Sequence, residues 1–196
     1  MARDSLVKIK AGKAADICLL VTLEKESRSL LDDKISPAVY LERLQNSGAH
    51  IDAIRFLAYA LPKREAVWWA CLAARSSLPP EPEPPLVEAL KAAEAWVLKP
   101  TEENRRAALA IGEKVGAGSS PGWTALAAGW TGGSMGPADG PAIAPGDNLT
   151  PSAVSVAIIE AALAEGAEVH ARFRTFLTQG LDIASGGTGR LSPNPA

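Results

Sequence analysis

The chain has 196 residues, 47% hydrophobic and 21% charged, with a formal net charge of −2. This composition excludes the disordered and fibrous classes and allows one domain with a sizeable core. A pI near 5.8 leaves no basic excess to attract a phosphate backbone, so no nucleic-acid partner is expected.

Residues 1–12 read as a loose arm. Lys13 to Leu23 is a first helix candidate, continued through Glu24 to Asp33. The run Ile17 to Leu23 also suits a short strand, but nothing else in the chain supplies a partner strand. It is too short to cross a bilayer, which takes roughly 20 residues. The N-terminus has no apolar signal region, so a cytoplasmic protein without membrane insertion is expected. Cys18 lies in this run and Cys71 in a later one. Both are expected to be buried thiols in a reducing compartment, although the sequence leaves a disulfide between them open.

Ser36-Pro37 is a helix start, with serine as cap and proline at the first position. That helix buries Tyr40, Leu41 and Leu44 and ends before Gly48. Ala49 to Leu78 then predicts a central hairpin. His50 to Leu61 forms one arm, Pro62 the corner and Lys63 to Ser77 the other arm. Val67, Cys71, Ala74 and Leu78 make the main stripe of the second arm. Trp68 and Trp69 lie about 100° and 200° round from Val67, too far apart for one narrow stripe to bury both.

Pro79 to Pro85 is a stiff linker. Helices follow from about residue 84 to Val97, from Glu102 to Val115 under a Thr101 cap, and from Gly122 to Trp130 after Ser120-Pro121. Residues 131–149 are rich in glycine and proline without a period. Such a long loop is expected to be functional or mobile. Thr150-Pro151 opens a last helix reaching Ala184, with a bend at Gly166. Residues 185–196 read as a disordered tail. The predicted fold is all-α, one domain over 1–184, either an irregular helical bundle or a short solenoid of antiparallel helix pairs.

No catalytic or metal signature stands out, and no cofactor is expected. Gly132-Gly133-Ser134-Met135-Gly136 lacks the strand and the lysine of a phosphate cradle. Two histidines, His50 and His170, are too few for a zinc site. His170 falls on a core stripe, and His50 suits local hydrogen bonding with Asp52. Glu160, Glu165 and Glu168 read as a solvated face. The remaining candidates are partner-binding. Arg64 and Trp68 share a helix face, so the guanidinium can lie over the indole. Trp69 adjoins them, and Trp123 and Trp130 form a second pair beside the 131–149 loop. Tryptophan and arginine dominate interface energies.

The run Ala60-Leu61-Pro62-Lys63-Arg64-Glu65-Ala66-Val67-Trp68-Trp69-Ala70-Cys71 resembles the signature of an uncharacterised bacterial all-helical protein family. The resemblance implies a small helical protein without an assigned activity, in a secretion setting such as type VI secretion. The expected function is a cytoplasmic protein–protein interaction module, an adaptor or chaperone-like accessory protein, and not an enzyme. The alternative is an enzyme or small-ligand binder with a site between helices, lined by Trp68, Trp69, Arg64 and His50.

Overall fold

A computed structural model of the chain describes residues 6–137, 139–164 and 168–191. The described residues form ten α-helices and no strand. In order these are α1 (Ala14–Cys18), α2 (Lys25–Ser29), α3 (Pro37–Asn46), α4 (His50–Ala60), α5 (Lys63–Ser77), α6 (Pro84–Leu98), α7 (Glu102–Val115), α8 (Ser120–Gly129), α9 (Leu149–Leu163) and α10 (Val169–Ala184). The protein is an all-α bundle.

The caps explain most of the boundaries. Ser36 Oγ accepts from Val39 N at 3.3 Å, and Thr101 Oγ1 accepts from Asn104 N at 3.3 Å. Gly48 takes the left-handed conformation after α3, with φ 77°. At the start of α8 the capping side chain is Ser119 rather than Ser120.

Helices α8 and α9 are apolar on nearly every side and are accordingly enclosed. Around α9 pack α4, α5, α8 and α10, while α6 and α7 close the far side of α8. The two arms at the Pro62 corner are held together chiefly through α9 and do not lie along each other. Close approach of helices depends on small residues. A Cβ on Gly180 would sit 2.7 Å from both Leu57 and the Trp69 indole, so only glycine lets α10 lie against them.

Several expectations are corrected. The first helical stretch is two short helices separated by residues 19–24, held by side chains from elsewhere. Arg28 donates to Val21 O at 3.1 Å, and Asp52 accepts from Glu24 N at 3.0 Å. The last helix is also two. The chain turns extended at Ala164, and Arg172 of α10 donates to Ala161 O at 2.9 Å, satisfying the carbonyls that end α9. Gly166 and Glu165 lie outside the described residues. Residues 6–12 are not loose, because Lys8 N donates to Ala184 O at 2.9 Å and Lys8 Nζ pairs with Glu65 at 3.1 Å. Nor do residues 185–191 fray, since they lie folded against α5, while 192–196 are outside the described residues. Cys18 and Cys71 are both buried free thiols.

Candidate functional site

Trp69 and Trp68 have opposite fates. Trp69 is fully buried, and its Nε1 donates to Phe176 O at 2.7 Å. It therefore belongs to the core and offers nothing to a partner, which corrects its place among the candidate binding residues. One residue earlier, the helix rotation leaves Trp68 half-buried in a groove of about 410 Å³ between α5, α6 and the segment after α10.

The groove has an apolar base from Trp68, Val97 and Ile183 and an apolar lip from Leu98, which is 78% exposed. Arg64 does not cover Trp68 as expected. Its Nε donates to Val97 O at 2.7 Å, one of the last carbonyls of α6, which turns the guanidinium away from the indole. Arg190 takes that place, with its guanidinium carbon 5.4 Å from the Trp68 ring centroid. Trp68 Nε1 donates to Thr188 O at 2.7 Å. Residues 186–191 thus form a strap along one side of the groove. The hydrogen bond contributes about 1 kcal/mol and the exposed cation–π contact about 0.5–1 kcal/mol.

The strap is shaped by Asp182. Its carboxylate accepts from Gly189 N at 2.8 Å, and its backbone carbonyl accepts from Gly187 N at 2.8 Å. Gly189 has φ +71°, and a Cβ there would stand 2.7 Å from Leu72 and 2.8 Å from Ile183. Glycine is required at that point on both counts.

Trp123 and Trp130 meet edge to face at 6.4 Å, with both rings half-buried against the core. They line no part of the Trp68 groove. Glu160, expected on a solvated face, is half-buried beside Trp123. Burial pushes its carboxyl pKa up, and the indole pulls the other way. Glu160 Oε2 and Trp123 Nε1 are both buried without a well-formed hydrogen bond.

His50 lies apart from Trp68, in a second cleft of about 450 Å³ on the α4 side, so the pocket imagined from Trp68, Trp69, Arg64 and His50 does not form. Instead the two histidines, 120 positions apart in sequence, meet with ring centroids 6.2 Å apart. Phe173 is 6.2 Å from His50. Burial holds His50 below its usual pKa, and repulsion from His170 and Arg174 adds to this. The expected local bond to Asp52 is absent. Asp52 instead binds Glu24 N and Arg55, leaving His50 Nδ1 buried and unpartnered. No group of three or more metal-ligating side chains occurs among the described residues.

The burial of one organising residue was invisible to sequence reasoning. Arg105 is 3% exposed. It makes a two-pronged contact with Glu102 and donates to the carbonyls of Gly129 and Ser134, while Arg106 donates to Gly136 O. Together they pin the start of the 131–149 loop. Lys63 holds it from α5 through Thr131 O at 3.2 Å.

The described geometry defines an all-α protein with a tryptophan-lined surface groove. Residues 40–184 match DUF6931, a family of unknown function, and the chain belongs to that family. The match contains the groove's helices and stops before the strap. No curated protein and no solved structure matches the chain.

Proposed function

We propose that this protein is a protein-docking module that receives a segment of another protein in the Trp68 groove. One observation carries this reading. Trp68, Arg64 and the highly exposed Leu98 converge on a single surface groove, while the neighbouring Trp69 is spent on the core. Indole, guanidinium and an exposed aliphatic lip are the side chains from which binding hot spots are built. An adaptor or chaperone-like accessory of a bacterial secretion system is the form of this reading that the sequence resemblance suggests.

The test pairs binding with stability. Immobilised protein would recover a partner from its native cell, and the Trp68→Ala and Arg64→Ala variants would be compared in the same recovery. The expected result is loss of the partner with little change in the urea unfolding midpoint. Full recovery by both stable variants would sink the proposal.

The His50–His170 cleft supports a second reading, a small-ligand or catalytic site, because polar groups converge there around an unpartnered buried imidazole nitrogen. That reading predicts that some metabolite in a mixture screened at millimolar concentration shifts both imidazole resonances. A screen in which neither moves counts against it.

A further inference from the structure

The strap raises a question of occupancy, and its answer rests on the docking reading above. The Trp68 indole at the base of the groove is already engaged in the free protein. A turning piece of the chain, residues 186–191, already lies against the Trp68 indole and forms one wall of the groove. Trp68 Nε1 donates to a backbone carbonyl, that of Thr188, and so reads main chain and not a particular side chain. Two residues on, Arg190 sets its guanidinium over the indole face, which selects for a cation. Between them Gly189 turns in the left-handed region against Leu72 and Ile183, where no other residue fits. These are three elements by which a groove recognises a peptide segment: a main-chain bond, one side-chain selector and a steric limit.

We infer that the groove's ligand is an arginine-bearing peptide segment of a partner protein, and that residues 186–191 hold its contacts with Trp68 in cis until the partner displaces them. The lip residue Leu98 stays 78% exposed with the strap in place, so the strap leaves apolar contact that an incoming segment gains. The strap's attachment is local. Apart from the two contacts with Trp68, its hydrogen bonds are made to α10 or within the strap itself. Releasing it therefore breaks no bond between the other helices.

Replacing Gly189 tests this in the full chain. Valine there has neither the backbone conformation nor the space, so Gly189→Val expels the strap without altering the groove lining contributed by α5 and α6. The readout is the Trp68 indole N–H resonance in a ¹⁵N spectrum, assigned by its absence in Trp68→Phe. In Gly189→Val this resonance should move to a solvent-exposed position. The probe is a synthetic peptide with the sequence of residues 185–191. Added at millimolar concentration, it should return the resonance toward its native position. It should bind the native chain at least tenfold more weakly, and a peptide with alanine for its arginine should bind Gly189→Val at least fivefold more weakly. Arg190→Ala, a gentler change in the full chain, should give an intermediate response to the unaltered peptide.

Three results overturn the inference. A folded Gly189→Val chain that ignores the peptide shows that the groove takes no such segment. Equal binding by native and Gly189→Val chains shows that the strap does not compete. Equal binding of the arginine and alanine peptides removes the cation selector. The docking proposal itself falls only if the Trp68→Ala and Arg64→Ala variants keep their partner, so the two failures are distinguishable.

Discussion

At the scale of residues, the structure separates side chains that look alike in the sequence. Arg105 and Arg106 are adjacent in a Glu-Glu-Asn-Arg-Arg run at the start of α7. One is buried and holds two backbone carbonyls, and the other lies at the rim. A buried guanidinium is tolerated only when its donors are used, and here Glu102 and the carbonyls use them. The same contacts hold the Glu102 carboxyl below its usual range, with Arg105 the first cause. Arg105→Met should therefore leave the Gly129 and Ser134 carbonyls unpaired and cost about 2–4 kcal/mol of stability. Urea unfolding measures that loss, and native-state hydrogen exchange should show protection falling across residues 131–136. An unchanged exchange pattern would mean that the loop is held by something else. The i,i+3 spacing to Glu102 is visible in the sequence, but the burial of Arg105 is not, because the carbonyls it holds are 24 and 29 positions away.

At the scale of elements, α10 is joined to α4 and α5 by contacts that depend on size and charge. Gly180 gives the space, Trp69 fills it, and the two histidines meet beyond it. His50 faces His170 and Arg174 from α10, while Asp52, Arg55 and Glu24 line the other walls of the cleft. Folding lowers the His50 pKa below its ordinary 6.5, so the unfolded chain binds the proton more readily. The contribution to stability is thus fully present above pH 6.5 and is lost as the pH falls below it toward the folded value. Melting temperature measured from pH 7.5 to 5.0 should drop across that window, and His50→Gln should flatten the drop. A His50→Gln profile parallel to the native one would assign the pH dependence to other groups. The boundary at Ser36-Pro37 was legible, but the same pairing at Ser120-Pro121 and Thr150-Pro151 lies inside its helix, where Ser119 caps α8 and Thr150 bonds Ala127 O. Nor was the boundary legible at Ala164, where alanine-rich periodicity runs on and the break is stabilised by Arg172 from the next helix.

At the scale of the whole molecule, one apolar core runs through nearly every helix, from Ala14 to Ala184. Cys71 is fully enclosed in it, and burial pushes its thiol pKa well up. In a Cys18→Ser background, a thiol reagent should label Cys71 only through global opening. The labelling rate should then give the same unfolding free energy as urea denaturation. A faster rate would show that α5 opens by itself. The all-α class and the burial demanded by two adjacent tryptophans follow from helical periodicity alone. Which indole faces outward does not, since that depends on where α10 packs. The pairing of His50 with His170 and the strap over Trp68 are likewise products of tertiary packing, with sequence separations of 120 in both cases.

The hydrogen bond from Lys8 N to Ala184 O brings the two ends of the described chain to one edge of the bundle. The backbone there is close to a ring, which makes the protein suited to circular permutation. A short linker would join residue 191 to residue 6, and the chain would be cut in the exposed run 141–144. Every helix would stay intact. In the permuted chain the strap would be joined to the Leu6 end as well as to α10, which would restrain its movement away from the Trp68 indole.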